Sequence, residues 1–191
     1  MMRKPNPALF APLQTERFTL SPLSAWQGAA MTWRYWACDP EMHEPLLIEN
    51  RQLRRRRWWR RMLKGYGRKK IIHAITPTGT QHPVGLHLFA LRSWRTASLQ
   101  IALHDRDWWG KDVVLETRKT IISHIFDSGL ADRIDALVLA RNISSIYTYR
   151  RLGFTHAGTA HRAVALPDGS GGADVVTFEM LRENWLGQAS S

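Results

Sequence analysis

The chain has 191 residues, 44% of them apolar and 10% aromatic, with a single cysteine, Cys38. This composition argues against intrinsic disorder and against an internal disulfide framework, and the length suits one domain with a core of its own. The formal net charge is +11, but eleven basic and no acidic residues lie between Arg51 and Lys70, so the remainder carries sixteen charges of each sign. The basicity belongs to one segment, which argues against a chain whose whole surface wraps nucleic acid.

No apolar run approaches the ~18 residues that a membrane span needs. Three prolines interrupt the N-terminal stretch MMRKPNPALFAPL before an apolar core develops, so no signal peptide is read and a cytoplasmic location is expected. The histidines are scattered without ligand spacing and indicate no metal site.

Residues 15–20 (TERFTL) alternate polar and apolar and predict a half-exposed first strand. Leu23, Trp26, Ala30, Trp33 and Ala37 recur at three- and four-residue spacing and predict a helix over 22–37. Asp39-Pro40 ends it, because a residue before proline disfavours the helical region. A second helix is predicted from about 48 to 64, stopping at Gly65-Tyr66-Gly67. Three β-like segments follow at 71–75, 84–91 and 97–103, the last two forming a hairpin about a basic, Trp-containing connection. The period then becomes 3.6: Val113, Thr117, Thr120, Ile121, His124 and Ile125 form one face of a helix that Gly129 ends. Residues 134–140 (IDALVLA) read as a strand buried on both faces, and 143–152 as a short helix. Two strands, near 159–165 and 174–181, flank a Gly-Ser loop at 168–172. The order β-α-α-β-β-β-α-β-α-β-β implies one mixed sheet covered by helices, an α/β single domain over 13–186 with tails at 1–12 and 187–191.

Two segments carry chemistry. Gly110 lies between a strand and a helix, where the backbone can approach a ligand and the helix start offers unpaired N–H groups, a setting that suits phosphate. Taken alone it also reads as a simple strand-to-helix turn. The second is the run 142–154 (NISSIYTYRRLGF), which follows the apolar strand and places Asn142, Ser145 and Tyr149 near one face of a short helix.

This run resembles the GNAT acyltransferase superfamily, whose pattern has Asn at a strand end, Ser or Ala three on, Tyr four further, then Leu-Gly-Phe; here these are Asn142, Ser145, Tyr149 and Leu152-Gly153-Phe154. Other stretches resemble its RimJ/RimL-like branch: residues 13–23 the opening strand, and Trp109-Gly110-Lys111 with Glu116 the glycine turn. Ala157-Gly158, Arg162, Asp174, Phe178 and Glu183-Asn184-Trp185 resemble the closing pattern. The likeness covers about 13–185. It implies a mostly antiparallel sheet with splayed central strands, transfer of an acyl group, usually acetyl, from coenzyme A to an amine in a direct ternary complex, and homodimers as a common state.

The resemblance also implies roles. The strand 100–103, with Ile101, Ala102 and Leu103, would pair its backbone with the pantetheine arm of acetyl-CoA. Trp109, Gly110, Lys111, Asp112 and Val113 would hold the pyrophosphate through backbone N–H groups. Asn142 would contact the cofactor arm or hold the strands apart, and Tyr149, with Ser145, would lie near the sulfur and protonate the departing thiolate.

Two departures stand out. The family's phosphate turn reads Arg/Gln-x-x-Gly-x-Gly/Ala, whereas this chain has Asp107-Trp108-Trp109-Gly110-Lys111-Asp112. Asp112 puts a carboxylate where pyrophosphate is expected; its alternative reading is an N-cap, with Lys111 offsetting the charge in part. On the strand where the family often has Glu, the aligned residue is Ser98, leaving His87, His104, Asp105 and Glu116 as candidate bases, each equally readable as ordinary surface or core, or a water chain instead. Cys38 has no activating base nearby and reads as structural.

On the second helix, Leu47, Ile48, Trp58, Trp59, Met62 and Leu63 share one arc, and Arg54, Arg56, Arg57, Arg60, Arg61 and Lys64 the other. The face reads either as solvated, snorkelling arginines or as a partner surface, with Arg54, Arg57 and Arg61 on the acceptor side. As a partner surface it would favour acidic or ribosome-associated acceptors, RNA or an anionic membrane face, and repel polyamines. Trp58 and Trp59 read as core, or as base-stacking groups if exposed. The rival to an enzyme is a catalytically weak binding module recruited through 51–70.

Overall fold

The computed structural model describes residues 6–165 and 171–188, so most of the loop expected at 168–172 lies outside them. Eight strands form one sheet in the order β1-β2-β3-β4-β5-β6-β8-β7. They are β1 (Leu13–Gln14), β2 (Phe18–Pro22), β3 (Lys70–Pro77), β4 (Gly85–Leu91), β5 (Thr96–Leu103), β6 (Arg133–Leu139), β7 (Thr155–Ala165) and β8 (Gly172–Leu181). Every neighbouring pair is antiparallel except β5 and β6.

The parallel pair is the feature that shapes the molecule. β5 and β6 meet only at Thr96–Arg133, Ala97–Ile134 and Ser98–Asp135. Beyond that point β5 stays registered with β4 to Gly85–Leu103, while β6 stays registered with β8 to Leu139–Val175. Each strand is therefore held by its antiparallel partner, and the two halves of the sheet part like a V.

Alternation along the strands sends successive side chains to opposite faces. Ile72, Ala74, Leu86, Leu88 and Ala102 pack under α1 (Ala25–Thr32) and α2 (Arg55–Leu63). Ile71, Ile75, Phe89, Leu99 and Leu103 pack under α3 (Val113–Asp127) through Ile121, Ile122, Ile125 and Phe126. Two further helices, α4 (Ile143–Arg151) and α5 (Arg182–Gln188), follow β6 and β8, and on them Tyr149 and Trp185 join the same cluster. Helix α1 opens with a capping box between Ser24 and Gln27 and runs into a π-helical turn, Trp33–Ala37.

The expected element order is present, with β1 and α5 added. Three details differ. The second helix begins at Arg55, not near 48: Leu47 takes φ 53° and Asn50–Gln52 forms a 3₁₀ turn. Its start has no side-chain cap and no acidic residue in the first turn, and arginines there oppose the positive end of the helix dipole. β6 is not buried on both faces, since Leu137 is 57% exposed: α1 and α2 cover β3 to β5 and leave that face of β6 bare. Cys38, expected to be structural, is exposed.

Candidate active site

The V between β5 and β6 opens into a narrow cleft of about 380 Å³ including its mouth. Leu99, Gln100 and Ile101 form one wall, Leu137 and Val138 the other, with Ser145, Tyr149 and Arg118 beneath and Pro45, Leu46 and Leu47 above. From Leu99 onward β5 has no strand along the edge that faces β6, so that edge is free for backbone pairing with a ligand. The covering loop is fastened on both sides. The Gln100 amide donates to Leu46 O at 3.2 Å, and Arg141 pairs with Glu44 at 2.6 Å across the mouth.

Helix α4 positions the hydroxyls. Asn142 is its N-cap: Oδ1 accepts from the Ser145 N–H at 3.1 Å, which fixes the helix start at the end of β6. Asn142 thus acts through the helix and does not itself line the cleft. Two turns on, the Tyr149 ring stacks on Phe178 at 5.6 Å and meets Phe154 edge-on at 5.0 Å. Tyr149 is 3% exposed, and this clamp holds it against the cleft.

At the other end of β5, the chain turns through Trp109, Gly110, Lys111 and Asp112 into α3. Trp109 donates from its indole N–H to Leu103 O at 3.1 Å. Gly110 takes φ 73° and Asp112 takes φ 55°, ψ 15°, both left-handed, so the turn keeps a glycine-type backbone although its last residue is aspartate. Asp112 does not cap α3 with its side chain; the carboxylate pairs instead with Arg151 of α4 at 2.9 Å. The first N–H groups of the 15-residue α3 therefore lack a side-chain cap and face the turn. Lys111 lies over Trp108 at 5.5 Å, so Arg151, not Lys111, offsets the aspartate. Ala102, Leu103 and Val113 are buried, and none of the three lines the cleft.

None of the four candidate bases lines the cleft. Glu116 accepts from the Arg17 N–H at 3.0 Å and Nε at 2.7 Å; burial pushes its carboxyl up, but hydrogen bonds from Thr15 and Arg17 outweigh this and bring it below the usual range. Asp105 accepts from the Asp107 N–H in a 3₁₀ turn. His104 stacks on Tyr35 at 3.7 Å, and burial lowers its pKa. His87 is fully buried and held neutral, first by burial and then by the charge of Arg118. Among the described residues no group of three or more His, Cys, Asp or Glu could hold a metal.

Sequence reasoning missed Arg118. It is 4% exposed, its guanidinium lies 4.3 Å over the Tyr149 ring, and Nε and Nη1 have no hydrogen-bond partner. The signal was present: Arg118 stands three, four and seven residues before Ile121, Ile122 and Ile125, on the apolar face of α3.

The acetyltransferase (GNAT) domain pattern matches residues 17–155. The chain belongs to the GNAT acetyltransferase family. No curated protein sequence matches it. Solved structures share its fold. A spermidine N-acetyltransferase chimera of Vibrio cholerae SpeG and hSSAT is 14% identical at TM-score 0.73, over 88% of this chain and 98% of that one. A ribosomal-protein-S5-alanine acetyltransferase from Vibrio fischeri is 15% identical at 0.70, over 92% and 98%. RimL, a ribosomal L7/L12 N-acetyltransferase in complex with coenzyme A, is 14% identical at 0.70, over 91% and 99%.

The cleft of this GNAT protein combines a strand edge without a partner with a buried positive charge, and a left-handed turn ahead of an uncapped helix start follows the end of β5. No helix among the described residues is long and apolar enough to cross a membrane.

Proposed function

We propose that the protein is a cytoplasmic, RimJ/RimL-like acyl-CoA-dependent N-acetyltransferase that moves acetyl from acetyl-CoA to an amine, a protein N-terminus or a small molecule, within one ternary complex. The observation that carries this reading is the departure of β5 from β6 beside Tyr149. An amide-bearing arm can pair with a free strand edge, and this edge runs beside a hydroxyl that carries a proton. Acetyl-CoA supplies an acyl group already activated as a thioester. The backbone of Ile101, Ala102 and Leu103 binds its arm, and the N–H groups of the turn from Trp109 to Val113 hold the pyrophosphate. Asn142 positions α4, Ser145 borders the arm, and Tyr149 holds a proton for the leaving sulfur. With no candidate base in the cleft, the amine releases its proton along water to solvent.

The test has two parts. Millimolar acetyl-CoA is expected to raise the melting temperature, since ligand at ~100 times its Kd stabilises by about 2.7 kcal/mol. Tyr149→Phe is expected to lower kcat by about 10²-fold while leaving acetyl-CoA affinity within about twofold. A melting curve unmoved by the cofactor would favour the binding module over the enzyme.

A specific observation supports a partner role for α2. Arg54 to Arg57, Arg60, Arg61 and Lys64 are exposed, and of the eleven basic residues from 51 to 70 only Arg51, beside Glu49, joins an ion pair among the described residues. Trp58 is core, but Trp26 is 66% exposed, 5.5 Å from Trp59, and the two rings form a shallow site with Arg55 and Arg56. Crowding is felt in the segment: burial first, then Arg61, brings Lys70 down to about 8. We propose that this face, through Arg54, Arg57 and Arg61, draws an anionic acceptor or a ribosome-associated, RNA-bearing partner. Arg54→Ala/Arg57→Ala/Arg61→Ala is expected to weaken binding to ribosomes and to lower its salt slope by about three; an unchanged slope would overturn the role.

A further inference from the structure

Arg118 is the feature of the cleft that the reading above leaves unused. Arginine keeps its charge under all ordinary conditions, and a buried charge is normally paired. Here the groups facing it are the Tyr149 ring and Ser145 on α4, Gln100 and Ile101 on β5, and His87 on β4, with His73 of β3 opposite His87 in the sheet. None is acidic. His87 has no hydrogen-bond partner at either ring nitrogen, and both histidines are held neutral, so among the described residues the only formal charge in this interior is the guanidinium. Such a charge costs several kcal/mol to bury without a counter-ion. A permanent carboxylate partner would cancel its field; its absence leaves the full field directed into the cleft, beside the hydroxyl assigned to the leaving group.

We propose that Arg118 is a thiolate-binding residue: it takes up the negative charge that reaches the coenzyme A sulfur when the acyl group leaves, ahead of protonation by Tyr149. This rests on the coenzyme A reading of the cleft. In the transfer, the amine nitrogen bonds to the thioester carbon, the carbon–sulfur bond breaks with its electron pair passing to sulfur, and the amine proton leaves to water. Arg118 holds the sulfur's charge until Tyr149 supplies a proton and is itself reprotonated from solvent. A preorganised cation aimed at charge that appears only in the transition state stabilises that state selectively, because in the ground state it meets the face of the Tyr149 ring and no anion.

Binding of free coenzyme A tests this without turnover. A thiol of ordinary pKa near 8.5, bound beside a buried cation, ionises at lower pH, so affinity must rise with pH through that range. Calorimetric titration is expected to show coenzyme A binding about tenfold or more tightly at pH 9 than at pH 6.5. Acetyl-CoA has the same phosphates but no ionisable sulfur, and is expected to change far less. Arg118→Met is expected to abolish the difference between the two ligands, and Arg118→Lys to retain part of it. Parallel pH curves for coenzyme A and acetyl-CoA in the unsubstituted protein would overturn the proposal whether or not the variants fold. A pH rise that survives in Arg118→Met would overturn it as well. Failure of both ligands to bind at any pH would overturn the coenzyme A reading and this role together, whereas binding without the sulfur-specific rise removes Arg118's role alone.

Discussion

Replacing Asp112 with glycine probes the turn where this chain departs most from its family. The residue occupies left-handed backbone, which costs a non-glycine residue on the order of 1–2 kcal/mol. Against that relief stand the greater chain entropy of glycine, ~0.5–1 kcal/mol, and loss of the Arg151 pair, whose side chains are 41% and 62% exposed and which contributes ~0.2–1 kcal/mol. The opposing effects nearly cancel, so stability is expected to move by less than about 1 kcal/mol. Affinity is different. A unit charge pair at ~4 Å in water is worth about 1 kcal/mol, and removing the carboxylate both ends its repulsion of phosphate and frees Arg151 to attract it. Acetyl-CoA binding in Asp112→Gly is expected to tighten about tenfold, equivalent to ~1.4 kcal/mol, at 10 mM salt, and the gain is expected to shrink above 0.3 M as the Debye length contracts. Asp112→Asn, which tolerates the same backbone, should recover most of the gain if charge is the cause. Titration at low salt reads it directly; unchanged or weaker binding in both variants would refute the reasoning.

Two more expectations follow from the interior and the cleft mouth. Burial foremost, aided by His124 and opposed by the hydrogen bond to Ala11 O, brings His73 down to about 4. Because the folded pKa lies below the unfolded value of ~6.5, this contribution to stability is complete above pH 6.5 and is lost as pH falls toward 4. Urea unfolding is expected to show about 2 kcal/mol less stability at pH 5 than at pH 7 from His73, and His73→Leu should reduce the slope by that amount, leaving the share of His87; an equal slope would refute it. At the mouth, Glu44→Gln breaks a half-exposed pair with Arg141. It should cost under about 1 kcal/mol globally, yet speed amide exchange across residues 43–48 severalfold; unchanged exchange would show that Gln100 alone holds the loop.

Local patterns were legible in the chain, and long-range ones were not. Asn142, Ser145 and Tyr149 could be read because cap, spacing and apolar face all lie within one short helix. The buried fate of Trp58 and Met62 followed from helical periodicity. The partner of Asp112 could not be read, since Arg151 is 39 residues away on another helix, and Glu116 is tied to Arg17 across 99 residues. The start of α2 was misjudged because apolar periodicity extends to Ile48, whereas Leu47 leaves the helical region and the arginines oppose the dipole. Arg118 was overlooked because a charge on an apolar face looks like a break in the pattern, and only the three-dimensional cleft gives it a setting.

The three-residue junction between β5 and β6 also has a mechanical consequence. Apart from the two-residue pairing of β1 at the sheet's edge, it is the narrowest seam in the sheet, so, α3 aside, the halves β1–β5 and β6–β8 are coupled through little backbone. A molecule lodged in the V, hydrogen-bonded to β5 and resting on α4, would act as a strut between them. Donor binding would then stiffen the whole domain from its centre. An acceptor reaching the cleft afterwards would meet walls already braced.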